Sequence, residues 1–423
     1  MTTPIDILIL GAGPSGLSTA LHLAKLDPRL TPSILILDKA HFPRPKLCAG
    51  GLVADAEVIL ERLGLDVSEV PHVDASAAHF DFAGKGLTVR VPKRHTLRII
   101  RRDEFDNWLA EKAKNRGIQI REGVTVKDVR PDTDGVTVIT DAGEFRAKIV
   151  VGADGSNGVT RRCVLPNAPV HTARVLEVLT PSPHPASPKY ANEHTVGNNS
   201  THGVFGGGAH RRSPKGERAE GAFFDFFVVP QNIAGYVWDF PTQVKGQPMR
   251  CWGIYDTNLL AGESRPALKD PLAEEMSHHG FDLSQYELKG HPIRWFDPFD
   301  PVSVPRVLLV GDAAGADPLF GEGISIALGY GNLAARQIKQ ALERNDFSFA
   351  NYRQRLLTSP LGGTLIARWL ISYFVYTLKW KWFQVLLWRF LKPIVIFVAW
   401  VFVLNWARRL PAMRSSAILG RRG

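Results

Sequence analysis

"IDILILGAGPSGLSTALHLAKL", residues 5–26, followed by "SILILDK", residues 33–39, decides how the chain begins. An apolar run of strand length, a glycine turn, an amphipathic run and a second apolar run make a βαβ unit. Gly11 permits the tight turn, Gly13 lets backbone approach a pyrophosphate, and Gly16 lets the helix pack close to the strand. Pro14 and Ser15 open the helix, whose N-terminus then faces the anion. Asp38 ends the second strand, placed to accept hydrogen bonds from a ribose hydroxyl, and Lys39 is counted with it. A lone glycine fingerprint is a weak signal, but strand, turn, helix and acid in this order predict a Rossmann-type dinucleotide site.

The remainder of the 423 residues reads as globular protein, with 45% hydrophobic and 22% charged residues, so disorder is excluded as a general description. A net charge of +10 suits nucleic acid, anionic lipid or phosphorylated substrates alike, and its location must decide. Cys48, Cys163 and Cys251 are far apart and form no CxxC pair, which argues against a disulfide framework and against a metal site, and favours a reducing compartment. The N-terminus shows no basic region or cleavage signal of a secretory leader.

Further along, a helical run to about Leu63 is followed by strand-like segments near 78–100. "RRDEFDNWLAEKAKNRG" predicts a helix capped by Asp103 and stopped at Gly117. Asp134-Gly135 marks a hairpin. Residues 181–220, ending in "HRRSPKGERAEG", read as a loop, a solvated one first, with contact of its basic residues to a diphosphate or phospholipid as the second reading. "GAFFDFFVVPQNIAGYVWDFPTQ" restores strand signal around a turn, and "RVLLVGDAAGADPLFGEGISIALGYGNLAARQIKQALE" is strand, glycine-rich loop and long helix.

From Leu361 the composition shifts, and the tail holds six of the ten tryptophans. Its charges are sparse, at Arg368, Lys379, Lys381, Arg389 and Lys392, and the run from Pro393 to Trp406 has none. That run is shorter than the ~20 residues of a membrane-spanning helix. Tryptophan beside lysine and arginine is favoured at the headgroup layer, so residues 361–410 predict interfacial insertion, with a buried helical hairpin as the competing reading. Nucleic acid is set aside.

Three separated motifs together resemble the flavin-dependent geranylgeranyl reductase family, within the FAD enzymes that include aromatic hydroxylases and flavin halogenases. These are "GAGPSG" with Asp38, "GADGSNGVTRR" at 152–162, and "GDAAGADPLFGEGI" at 311–324. The resemblance covers about residues 5–345. It implies FAD as cofactor, Asp154 and Gly155 in the second motif, and Gly311 and Asp312 at the ribityl chain. The helix start at Gly321, Gly323 and Ile324 would face the flavin ring, where N–H groups and dipole stabilise negative charge. Arg102 is similar to a family arginine that contacts FAD. "PRPKLCAGGL" resembles the reductase subfamily's signature, with Ala49 in place of a glycine. "YVWDFP" matches its lipid-channel motif, assigning Tyr236, Trp238, Phe240 and Pro241 to substrate along with Gly253. Tyr255 stands where the family has a second glycine, which shortens or redirects the channel.

On this resemblance Gly50 and Gly51 let backbone lie against the flavin and Lys46 supplies positive charge, while Cys48 either donates or relays the proton that complements a hydride, a task open to water as well, or is a small packing residue. Cys163 and Cys251 read as structural. The fold expected is α/β: a Rossmann-type FAD-binding domain interleaved with a mixed β-sheet substrate domain, plus a C-terminal helical membrane-associating region. The FAD-binding part is assigned to 1–170 and 290–345, with inserted strands near 70–100. The substrate sheet is assigned to 171–289 and the helical tail to 346–423.

The function implied is saturation of C=C bonds in a prenyl lipid, prenylquinone or prenyl diphosphate, with NADPH, ferredoxin or quinol as electron donor. The protein is then expected at the cytoplasmic face of a membrane, peripheral or monotopic. The alternative is an FAD monooxygenase acting on an apolar substrate. A halogenase is disfavoured because Tyr236 and Phe240 depart from that group's motif and residues 67–84 contain no lysine. A non-catalytic flavoprotein recruiting partners to membranes is the remaining class.

Overall fold

The computed structural model describes residues 5–82, 86–91, 93–182, 221–225, 231–260 and 266–411. The basic loop expected within 181–220 therefore falls almost wholly outside the described residues.

β1 (Ile7–Leu10), α1 (Pro14–Leu26) and β2 (Ile34–Leu37) form the expected unit. β1 lies between β2 and Ile149–Gly152, parallel to both, in a six-stranded sheet that continues to Val307–Leu309 on one side and Gln119–Arg121 on the other. Every residue of β1 and β2 is buried, as expected of parallel strands covered on both faces. Gly11 has φ +107°, and a Cβ there would lie 2.4 Å from the Ala153 carbonyl oxygen, so only glycine closes this turn. α1 packs on the long helix Ile324–Arg344, with the Ser18 hydroxyl donating to the Leu328 carbonyl at 2.8 Å.

A seven-stranded sheet stands beside this layer, in the order Lys289–Arg294, Thr172–Pro181, Gln247–Asp256, Gly235–Val244, Gly221–Asp225, Ala77–Asp81 and Leu87–Val89. Ala77–Asp81, among the inserted strands expected near 70–100, pairs in parallel with Gly221–Asp225. Lys289–Arg294 is the edge strand beside Thr172–Pro181, so this sheet runs past residue 289. Strand partners distant in the chain are chosen by packing, which local pattern does not encode.

Gly51–Leu52, Leu97–Ile100 and His72–Ala75 form a three-stranded sheet joining the two layers. The helix expected to start at Asp103 starts at Arg102 with Arg101 as its cap. Asp103 lies in the first turn instead, where its charge complements the helix dipole and pairs with Arg101 at 3.4 Å. The hairpin at Asp134-Gly135 forms, joining Val126–Pro131 to Val136–Thr140.

The tail is helical but broken. Pro360–Thr377 is one helix, capped by the Ser359 hydroxyl, which accepts from Gly362 N–H at 3.1 Å. Short helices and wide π-helical turns follow from Lys381 to Val403. Among the described residues no single helix is long and apolar enough to cross a membrane; 381–390 and 392–409 pass that test only as a pair bent by 79°. Arg368, counted among the tail's sparse charges, is buried. Its Nη1 donates to Asp317 Oδ2 at 2.6 Å and its Nη2 to the Val403 carbonyl at 3.0 Å.

Candidate active site

The glycine turn after β1 ends in a helix N-terminus that no side chain caps. A Cβ on Gly13 would meet only the Arg44 guanidinium, at 3.8 Å, so the backbone there faces open space. Asp38 organises the turn: its Oδ2 accepts from Ala12 N–H at 2.8 Å and its Oδ1 from Ala40 N–H at 2.9 Å. Each oxygen keeps a second lone pair for a ribose hydroxyl. Arg44 lies 3.8 Å from Asp38 and 3.4 Å from Asp106, and its Nε is buried without a hydrogen-bond partner. An open backbone cradle, an uncapped helix end and a buried cation with an unused donor fit the diphosphate of a dinucleotide. Arg44 was not singled out in the sequence, although it lies inside "PRPKLCAGGL", which drew attention to Lys46 and Cys48 instead.

The third motif approaches the first from the opposite side. Gly311 lies against Ser15, whose Oγ would be 2.6 Å from a Cβ at that position. Asp312 is half-buried, accepting from the Ser156 hydroxyl at 3.3 Å, and Gly323 lies beside its carboxylate. Glu322 caps the following helix by accepting from Ser325 N–H at 2.8 Å, leaving Gly323 and Ile324 at the helix start. Asp154 directs Oδ2 at the backbone and hydroxyl of Thr160, at 2.8 and 2.9 Å, bracing the turn through Gly155 into Val159–Val164. Lys39 and Lys46 are exposed.

Arg102 grips Asp106 with two parallel hydrogen bonds of 2.8 and 2.9 Å. Its charge also acts on Cys48 and Asp312, which places all three around one space. Cys48 Sγ accepts from Gly50 N–H at 3.4 Å. Burial pushes the Cys48 thiol up from its ordinary value, more than the Arg102 charge pulls it down. The sulfur is therefore held as S–H at neutral pH.

Residue spacing of two puts Tyr236, Trp238 and Phe240 on one face of the seven-stranded sheet. Across from them on the same face are Tyr255, Gly253 and Cys251. This face meets the Cys48 loop, since Phe240 Cε2 lies 3.4 Å from the Cβ position of Gly51. Trp238 lies across Gly253, where a Cβ would be 2.1 Å from the indole, so the glycine is a groove for that ring. Tyr255 fills the place of the expected second glycine: it is fully buried and donates to the Pro318 carbonyl at 3.1 Å. The aromatic run continues outward from Tyr236 to Phe320, from Phe320 to Phe80, and from Phe80 to a stacked Trp388 in the tail, each with ring centres 6.0 to 6.2 Å apart. No group of three or more potential metal ligands occurs among the described residues.

Residues 4–231 match the family model described as "FAD binding domain". The chain is 28% identical over 359 residues to a menaquinone reductase of Mycolicibacterium smegmatis, covering 79% of this chain and 76% of that one. It is 25% identical over 362 residues to digeranylgeranylglycerophospholipid reductase 3 of Methanosphaera stadtmanae, covering 81% and 79%. A solved geranylgeranyl bacteriochlorophyll reductase-like structure from Thermoplasma acidophilum superposes with a TM-score of 0.67 at 21% identity, covering 95% of this chain and 94% of that one.

Proposed function

Because this chain belongs to the FAD-binding-domain family and is a flavin-dependent oxidoreductase, we propose that it saturates C=C bonds in the isoprenoid chain of a membrane lipid or quinone. The observation that carries this reading is the aromatic run from the tail to the Cys48 loop, which suits a long apolar chain. Relatives named as reductases of a menaquinone and of a digeranylgeranyl phospholipid support the same substrate class.

Gly13, Arg44 and the first turn of α1 would hold the diphosphate of FAD, Asp38 the adenosine ribose, and Asp312 with Gly323 the flavin end. The chemistry supplied by bound, reduced FAD would be hydride donation. The chain's own contribution is a proton and an orientation: the Cys48 S–H stands beside the aromatic face, held by Gly50 N–H and next to the Arg102 charge. Tyr236, Trp238 and Phe240 would fix the chain against it by apolar contact and exclude water. Lys46 acts only as nearby positive charge. Cys48→Ala with FAD retained is expected to lower single-turnover reduction about 10²-fold, the scale of a lost general acid. Full turnover in both Cys48→Ala and Cys48→Ser would remove the thiol from the reaction.

The tail's outer side would rest on the membrane. Trp380, Trp382, Phe397 and Trp400 are each more than half exposed, with Lys379, Lys381, Arg389 and Lys392 among them, a pairing suited to the headgroup layer. A cytoplasmic-face, peripheral or monotopic location follows from that reading. The test is anaerobic incubation of the reduced protein with prenyl lipids, read by mass spectrometry. A gain of two hydrogens per turnover supports reduction, whereas a product that forms only with oxygen means a monooxygenase.

A further inference from the structure

Glu177 lies on Thr172–Pro181, in register with Gly253 on one side and Lys289 on the other. Directly opposite residues of antiparallel strands share a face, so Glu177 is in the same cross-strand row as Gly253 and the indole of Trp238. It is 6% exposed, and its Oε2 has no hydrogen-bond partner. The Cys48 peptide lies close enough to act on its carboxyl group, and Cys48 and Cys251 both feel its charge. A buried carboxyl oxygen left without a hydrogen bond is uncommon and marks Glu177 for a functional role.

We propose that Glu177 returns the proton to Cys48, making the pair a two-step relay from the sheet edge to the substrate. The proposal rests on the reduction reading above. Cys48 gives its S–H proton to one alkene carbon as the hydride, with both electrons, reaches the other from the reduced cofactor. Two C–H bonds form, the π bond is lost, and a thiolate remains. The Glu177 carboxyl re-protonates that thiolate and is itself refilled from water at the edge strand, where Lys289 is exposed. Burial raises Glu177 to about 7, which keeps a large protonated fraction at neutral pH. The charged and titratable groups around it are Arg101 from the helix cap, Lys289 from the edge strand, Cys48 from the loop and Cys251 from the neighbouring strand. Next to this cluster, His291 is lowered to about 4 by burial, then by Lys46 and Arg102, so it stays neutral and does not compete as an acid.

The experiment uses the FAD-loaded protein in wild-type, Glu177→Gln and Cys48→Ala forms. Infrared spectra across the pH range read carboxyl and thiol bands without substrate. A carboxyl band titrating near pH 7, absent in Glu177→Gln, together with a Cys48 S–H band that moves as it titrates, is expected. Prenyl reduction in the wild type should fall as pH rises through that value, and Glu177→Gln should be slower by about 10²-fold and lose this pH dependence. A fixed S–H band, a missing carboxyl band, or an unchanged pH profile in Glu177→Gln would overturn the relay. If no prenyl substrate is reduced by the wild type, the reduction reading fails by itself, and the infrared coupling still decides whether Glu177 and Cys48 share a proton path.

Discussion

Arg44 and Gly253 show how much a single residue depends on what surrounds it. Arg44 is one of several basic residues in its stretch, and only burial of its Nε beside Asp38 and Asp106 distinguishes it from Lys46. Loss of a charge-assisted contact is worth about 1.5–3 kcal/mol, so Arg44→Ala is expected to weaken FAD binding roughly 10- to 150-fold in a flavin-retention titration. Unchanged retention would remove Arg44 from the diphosphate site. Gly253→Ala would drive a methyl group into the Trp238 ring and toward the Leu176 carbonyl, 2.5 Å away. Overpacking of this kind costs about 1–3 kcal/mol, so a lowered melting temperature and a raised substrate KM are expected together. The YVWDFP stretch was legible as a motif, but the reason for the glycine opposite it was not, because cross-strand register is a non-local fact.

At the scale of the element, the tail divides by face rather than by residue type. Trp388 and Trp406 are buried while Trp380, Trp382 and Trp400 are exposed, so composition alone could not separate core from membrane surface. Arg368 locks Pro360–Thr377 to the glycine-rich third motif through Asp317, with Glu322 3.6 Å from the same guanidinium. Removing one partner of such a buried pair leaves an uncompensated charge, so Arg368→Ala is expected to destabilise the protein by about 3–5 kcal/mol in denaturant unfolding. Exposed aromatics are a different matter. Replacing Trp380, Trp382, Phe397 and Trp400 by serine should leave unfolding nearly unchanged but abolish flotation with anionic vesicles, since each buried ring contributes about 1.5–3 kcal/mol. Retained flotation would show that the membrane-facing reading of this surface is wrong.

The whole molecule adds a pH dependence that belongs to no motif. His95 lies between Glu57 of the helix Ala54–Arg62 and Asp74 of the joining sheet, with Nε2 2.5 Å from Glu57 and Nδ1 3.3 Å from Asp74. Hydrogen bonds to Asp74 and Glu57 raise His95 to about 9. A raised folded-state value means that the stabilisation is complete below the unfolded value of about 6.5 and is lost as pH rises through about 9. Melting temperature is therefore expected to fall across that window, and His95→Gln should flatten the fall; an identical slope in the variant would exclude this cluster as its source.

The sequence by itself determined the βαβ unit, the three glycine-containing motifs and the aromatic stripe of Gly235–Val244. Each is a local pattern whose period or turn chemistry is written in consecutive residues. Tertiary structure alone decided that Ala77–Asp81 joins the seven-stranded sheet, that Arg368 is an internal ion pair, that Arg44 lies beside Gly13, and that Glu177 is buried in register with Gly253. These are pairings between residues far apart in the chain. Their energies come from shared burial and the low dielectric it creates, which exist only once distant segments have packed together.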